Sequence, residues 1–355
     1  MTLADRVNTF GIDLVRRYGR RVHKLAIHAG FTCPNRDGTK GRGGCSFCNN
    51  VSFNPNAASA AASTIAGPTA AAAALASKPP GSSASAFDQA SQPVEQLSVA
   101  EQIECGRRVV RKRTGAERYF AYFQAYTNTY DDIARLGTLY RQALDEPDVI
   151  GLSVGTRPDC VPDAVLDLLS SYRAEGHEIW LELGLQSAFD STLARVNRGH
   201  NFADYRRTVR AARLRGIPVC THLIIGLPGE GRDAALETLS RVIALGTDGL
   251  KLHPLHVVRH TLLAHQWRRG GYQPLAMDDY IEIAADMIER TPDQVLYHRV
   301  TGTAQREILL APDWCSKKWI VLNGIENALR RRGTRQGARA LEQPNPASSA
   351  IERVA

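Results

Sequence analysis

Residues 149–187 read VIGLSVGTRPDCVPDAVLDLLSSYRAEGHEIWLELGLQS. Two β-rich runs, 149–154 and 178–183, flank a segment, 162–175, whose apolar residues recur at three- and four-residue spacing. A strand, a helix and a second strand in that order pair the two strands in parallel. The same alternation extends outward in both directions. Strand-like runs lie at 24–28, 119–124, 219–225, 249–253 and 295–298, and helical periodicity marks 98–112, 129–145, 204–215 and 232–245. Six or more such units in succession predict an α/β fold with a full or partial (β/α) barrel, a partial (β/α)6-type TIM barrel being the expectation adopted, although the pattern alone leaves a doubly wound sheet open. In a barrel, chemistry sits at the carboxyl ends of the strands.

The 355 residues are 43% hydrophobic and 23% charged, which excludes a wholly disordered chain and fits one large or two ordinary domains. A chain of this size buries roughly three quarters of the surface its unfolded form exposes, so it needs no disulfide or metal merely to hold a core. Its seven cysteines call for another role. There is no run of eighteen apolar residues, and the first twenty residues lack the apolar segment of a secretory signal, so we expect a cytoplasmic protein with no membrane partner. A reducing compartment keeps cysteines as thiols, and the pair Cys45-Ser-Phe-Cys48 points to metal or redox chemistry. The balance of 44 basic against 36 acidic side chains gives +8, with clusters at Arg16, Arg17, Arg20, Arg21 and Lys24 and at Arg330, Arg331, Arg332, Arg335 and Arg339. Such runs permit a polyanionic partner without demanding one, and are more often solvated faces or tails.

Residues 57–93 are roughly three quarters Ala, Ser, Gly and Pro, a composition that cannot offset chain entropy by burial. They are expected to form a flexible, disordered insertion, and residues 331–355 a flexible tail. The insertion separates an amino-terminal part, 1–56, from the remaining barrel, 94–260, and an α/β extension, 261–330, follows.

The first strand, KLAIHAG (24–30), runs into FTCPNRDGTKGRGGCSFCNN (31–50), where Cys33, Cys45 and Cys48 lie with eleven and then two residues between them. Three thiols leave one coordination position open, whereas a structural zinc or plain iron–sulfur site closes with a fourth protein ligand. Gly38, Gly41, Gly43 and Gly44 let the loop wrap tightly and turn its amides toward the sulfurs. The alternative is a zinc knuckle completed by Cys105, Cys160, Cys220 or Cys315.

With these cysteines, the segments YFQAYTNTY (122–130), VGTRPDCVPD (154–163), LELGLQS (181–187), NRGHNFADY (197–205), THLIIGLPGE (221–230), KLHPLHVV (251–258) and YHRVTG (297–302) resemble the radical S-adenosylmethionine (SAM) superfamily. More closely, the chain resembles the YhcC family, related to the radical SAM core of the elongator subunit Elp3, from its start to about residue 320. The resemblance implies a [4Fe–4S] cluster on Cys33, Cys45 and Cys48 whose open iron chelates SAM. One electron from an external reductant of the flavodoxin or ferredoxin type then yields a 5′-deoxyadenosyl radical that abstracts hydrogen from a substrate. The Elp3 likeness raises RNA, tRNA in particular, as a candidate substrate. A non-enzymatic zinc or iron–sulfur protein that binds RNA or senses redox state is the rival reading.

By the same resemblance, Gln124 and Thr127 end the second strand where the superfamily contacts the methionine amino group, although its Gly-Gly-Glu-like segment is replaced here. Glu182, a charge inside the apolar strand IWLELGL, and Gln186 are placed on the SAM ribose or carboxylate; a salt bridge across the barrel is the other reading of Glu182. Gly226 and Gly229 are placed at the adenine edge, a helix N-terminal anion site being the plainer alternative. Arg157 suits a bidentate carboxylate or phosphate contact or an ion pair with a neighbouring acid. His200, His222, His253, His256 and His298 gather near strand ends, and of these His222, His253 and His298 are assigned with Arg157 to the substrate pocket. In 309–330, Trp314, Trp319, Lys317 and Lys318 combine aromatics with cations, a set that either packs the extension or stacks on bases.

Overall fold

The computed structural model describes residues 3–49 and 97–340, so the insertion expected at 57–93 and the end of the tail lie outside the described residues. Seven strands form one parallel sheet in sequence order: β1 (Val22–Ile27), β2 (Arg118–Phe123), β3 (Val149–Thr156), β4 (Glu178–Gln186), β5 (Val219–Ile225), β6 (Gly249–Pro254) and β8 (Leu296–Arg299). A strand order that never reverses has no switch point, which decides against the doubly wound alternative. The strands begin and end within a few residues of the expected runs. Between them run α2 (Val99–Thr114), α3 (Ile133–Leu144), α4 (Asp163–Ala174), α5 (Asp190–Arg195), α6 (Phe202–Leu214) and α7 (Arg232–Ala244). Ser98 with Glu101, and Asn201 with Asp204, build reciprocal capping boxes that start α2 and α6.

The sheet curves into a half-barrel whose edges, β1 and β8, do not pair with each other. Helix α1 (Phe10–Tyr18) precedes β1 and closes the amino-terminal end, burying Phe10 and Leu14 against Val22, Phe120, Trp180 and Cys220. This plug is apolar because each strand alternates its side chains between the helix-facing layer and the interior. Two residues further along each strand the interior changes character: Lys24, Tyr122, Glu182, His222 and Lys251 stand one layer above the plug.

After β6 the chain forms β7 (Val257–Val258), which pairs antiparallel with β9 (Leu309–Ala311), then α8 (Leu262–Arg268), α9 (Met277–Arg290) and α10 (Lys318–Arg331). Helices α9 and α10 pack on each other through Tyr280, Ile281, Ile288, Val321, Ile325 and Leu329. Two expectations are corrected here. The tail does not become free at residue 331: Arg332 pairs with Glu282, Asp286 and Glu289, and buried Gln336 donates to the carbonyls of Pro292 and Val295 at 2.9 and 2.8 Å. Lys24, grouped with a basic surface run, instead ion-pairs with fully buried Glu182.

Candidate functional site

The cysteine loop folds on its own backbone. Arg36 N–H donates to Cys33 O at 2.8 Å, Gly44 N–H to Asn35 O at 2.8 Å and Cys48 N–H to Cys45 O at 3.0 Å. Gly44 has φ 79°, and a Cβ there would meet Arg36 Nε at 2.8 Å, because Arg36 crosses this point to donate to Cys48 O at 2.7 Å. The turn after α5 clamps the loop: Ser46 N–H donates to Val196 O at 2.9 Å, and Asn197 Nδ2 donates to Gly44 O at 2.8 Å. Side chains supply polar contacts to the Cys45 sulfur. Arg198 Nη1 lies 3.4 Å and Asn35 Nδ2 3.8 Å from Cys45 Sγ, while Arg198 Nη2 donates to Gly184 O at 2.6 Å. A Cβ at Gly184 would stand 2.7 Å from that guanidinium and displace it from its present position.

Cys33, Cys45 and Cys48 all border one cavity of about 220 Å³ at the carboxyl end of the half-barrel, too large for a packing defect holding one or two waters. Gln124, Thr127, Arg157, Glu182, Gln186, His222 and His253 line it as well. Among the described residues, four of the five non-glycine residues with left-handed backbone, Ala125 (φ 66°), Tyr126 (φ 60°), Gln186 (φ 77°) and Asn197 (φ 51°), lie on its wall or clamp its loop. Each such residue costs about 1–3 kcal/mol, strain of a kind that concentrates at working sites. Thr127 Oγ1 is buried with no protein partner among the described residues, a polar atom left for a ligand.

The remaining expected residues sort differently. Arg157 grips Asp159 through Nε and Nη2, both at 3.0 Å, so the ion-pair reading describes its main contact; burial pushes the Asp159 carboxyl up, and Arg157 together with Lys40 outweighs it and holds it down to about 2. Glu182 is wholly buried, and Lys24, Lys251 and His222 Nε2 (2.9 Å) all bind its carboxylate, with His298 Nδ1 3.6 Å away. This is the salt bridge across the barrel, and the lysines keep its carboxyl well below the usual range despite burial. His298 is not on the cavity wall: its ring stacks on Phe10 at 4.0 Å and meets Trp180 edge-on, beneath the charged layer. Gly226 and Gly229 also lie off the wall. Tyr272 Oη donates to Gly226 O at 2.8 Å, and Arg195 donates to Pro228 O at 2.7 Å across the place a Gly229 side chain would need. Burial, and then Lys251, lowers the His222 imidazole to about 4, so it is neutral at pH 7.

Asn35, Arg36, Tyr122, Arg198, Lys251 and Arg299 join the site without having been singled out, and Lys24 joins it from the basic run. Lys251 follows Leu250 in a strand beginning Gly-Leu-Lys-Leu, and a charge inside an apolar strand was the available signal, as it was for Glu182. Among the described residues no three His, Cys, Asp or Glu side chains converge on a point as the ligands of a single ion do. None of the four cysteines offered as a fourth zinc ligand borders this cavity: Cys105 is exposed on α2, Cys160 is buried after β3 beside a separate cavity, Cys220 is in the apolar plug and Cys315 is buried in the extension. A cubane holds its thiolates at separate corners, and three thiols on one cavity wall fit that donor set.

A seven-stranded half-barrel with a three-cysteine loop over its carboxyl end defines a class, and the sequence matches agree with it. Residues 37–242 match the radical SAM superfamily and residues 247–331 the radical SAM C-terminal domain, so the chain belongs to the radical SAM superfamily of enzymes. It is 46% identical over 338 residues to protein YhcC of Escherichia coli (strain K12), covering 95% of this chain and 97% of that one. It is 34% identical over 332 residues to YtqA of Bacillus subtilis (strain 168), covering 94% and 92%. The solved structure of the archaeal Methanocaldococcus infernus Elp3 with an N-terminal deletion shares the fold, with TM-score 0.55 and 19% identity over 67% of this chain and 60% of that chain. No helix among the described residues is long and apolar enough to cross a membrane.

Proposed function

We propose that Cys33, Cys45 and Cys48 hold a [4Fe–4S] cluster, that SAM occupies the adjoining cavity, and that the enzyme abstracts hydrogen from a substrate held within the half-barrel. The observation that carries this reading is the presence of all three thiols on the wall of one cavity with unpartnered Thr127. The bound cluster and SAM supply reductive carbon–sulfur cleavage and the radical that follows from it. The chain's own residues position and shield. Arg198 and Asn35 donate toward Cys45 sulfur, which stabilises thiolate charge, and Arg198 ties that level of the loop to β4 through Gly184. Gln124, Thr127 and Gln186 offer polar contacts to SAM at the cavity wall. The carboxylate of Glu182 is engaged by lysines, so its part is to hold the layer beneath. The apolar plug packs the amino-terminal end of the half-barrel beneath the charged layer. The reading includes a cytoplasmic setting and a flavodoxin- or ferredoxin-type electron donor.

For the substrate we propose RNA, tRNA in particular. Its support is the surface beside the cavity mouth: Trp319 is 73% and Ile320 53% exposed, flanked by Lys317, Lys318 and Arg306, and Thr303 borders both this surface and the cavity. An exposed indole among cations suits base stacking and phosphate contact. Protein purified without oxygen is expected to be brown, to carry about four iron and four sulfide per chain, and to release 5′-deoxyadenosine from SAM on reduction. A colourless protein with stoichiometric zinc would instead establish the non-enzymatic rival.

A further inference from the structure

The charged layer beneath the mouth holds more cation than the protein neutralises. Lys24 and Lys251 share the single carboxylate of Glu182, and Lys251 also donates to Tyr122 Oη at 3.1 Å. Arg299, at the end of β8, borders the same cavity and pairs with no carboxylate among the described residues. Glu182 is the only acidic side chain among the described residues on the cavity wall. Neighbouring imidazoles do not offset the excess, because burial and the nearby cations keep His222 and His253 neutral. Burial also lowers the Lys24 ammonium to about 8, as expected of a cation short of counter-charge. Depth follows from the strand. Arg198 bridges Cys45 to Gly184, and Glu182 lies two residues below Gly184, roughly 7 Å further into the barrel.

Lys251 is buried and Lys24 largely covered, and charge so placed is costly unless enough counter-charge answers it; exposed Arg299 adds a further cation at the edge of the same cavity. We infer that Lys251, Arg299 and Tyr122, with Lys24 behind them, form an oxyanion subsite that takes a carboxylate or phosphate group of the substrate about one strand repeat below the cysteine loop. The anion would accept from the Arg299 guanidinium and the Lys251 ammonium, while Glu182 keeps the two lysines in place. This deepens the reading of the cavity as a substrate site and rests on it. The subsite is separate from the SAM contacts, which lie at the level of Gln124, Thr127 and Gln186.

Isothermal titration of the full anaerobically purified chain, with inorganic phosphate in one arm and malonate in the other, tests the inference. One site per chain is expected for at least one probe, and the tighter of the two identifies the group. Arg299→Gln and Lys251→Met are each expected to weaken it about tenfold or more, as loss of a charge-assisted contact does. Arg299 is solvent-exposed, so its variant decides the matter even where Lys251→Met fails to fold. Added SAM should leave the binding in place. Absence of binding by both probes, unchanged affinity in Arg299→Gln, or displacement of the anion by SAM would each overturn the subsite. Iron content and 5′-deoxyadenosine release from the same preparation report separately on the cluster reading, so the two can fail independently.

Discussion

Replacing Glu182 with glutamine keeps the side chain's shape and removes the charge that buried Lys251 and partly buried Lys24 share. Breaking a buried ion pair by removing one partner costs about 3–5 kcal/mol, because the remaining charge stays desolvated. The packed body spans about 290 residues. At roughly 2.1 cal/mol/K per residue its unfolding entropy is about 0.6 kcal/mol/K, so Tm should fall by about 5–8 °C. The deficit should also depend on pH. Burial holds the Lys24 ammonium at about 8 in the folded chain, below its ordinary 10.5, with Glu182 pulling the other way. Unfolded chains therefore bind more protons between those values, and folded stability rises with pH in that window. Without the Glu182 carboxylate the folded-state value drops further and the window opens lower. The variant then recovers stability sooner than the parent, and its deficit should narrow between about pH 6 and pH 9. Adding Lys24→Met to Glu182→Gln should restore part of the loss. Differential scanning fluorimetry at both pH values reads all three. Equal Tm for parent and Glu182→Gln, or a deficit that widens as pH rises, would refute the charge account of this layer.

Cys33→Ala, Cys45→Ala and Cys48→Ala should each abolish bound iron while Cys105→Ala, on an exposed helix face, retains it; equal loss in all four would defeat the ligand assignment. Asp159→Asn leaves Arg157 buried and unpaired, and should cost about 3–5 kcal/mol at neutral pH. Asp159 is depressed from 3.8 to about 2, so its contribution is complete above about pH 4 and lost as pH falls toward 2. Thermal melts should accordingly show the Asp159→Asn deficit shrinking with acidification, and a deficit independent of pH would count against it. Trp314→Ala should destabilise by about 3–5 kcal/mol, since the indole is buried on Tyr280, whereas Trp319→Ala should stay within about 0.5 kcal/mol. In a filter-binding assay, Trp319→Ala should weaken RNA by about 1–3 kcal/mol, and unchanged affinity would remove the RNA proposal's main support.

What the sequence disclosed was local. The 3.6 and 2.0 periodicities mark whichever face of an element meets the core, so the strand–helix alternation could be read directly from positions such as Leu166, Leu169 and Ile179. The cysteine loop was equally legible, because its spacing lies within sixteen residues. Curvature was not. Only closure of the half-barrel brings Lys24 of β1 to Glu182 of β4, 158 positions away, and no window on the chain contains both. Lys24 accordingly looked like one more basic residue in a surface run. Glu182 was noticed because a lone carboxylate in IWLELGL has no local partner, yet its partners on β1, β5 and β6 depend on register. Helix α9 carried the same periodic signal, with Tyr280, Ile281, Ala284, Met287 and Ile288 at three- and four-residue spacing, but its polar positions Asp286 and Glu289 are buried, and the salt bridges to Arg232 and Arg332 that allow this come from distant segments. Gly226 and Gly229 looked like cofactor contacts because glycines permit close approach, but the groups that approach them are Tyr272 and Arg195 of this chain.

The central claim is that three thiolates hold a cluster with one iron left open beside a cavity that admits SAM. Electron paramagnetic resonance of the anaerobically reconstituted, reduced protein, recorded with and without SAM, tests it most directly. The account predicts a [4Fe–4S] signal that changes on addition of SAM and is absent from Cys33→Ala. A signal indifferent to SAM, or a protein that takes up zinc and no iron, would contradict it.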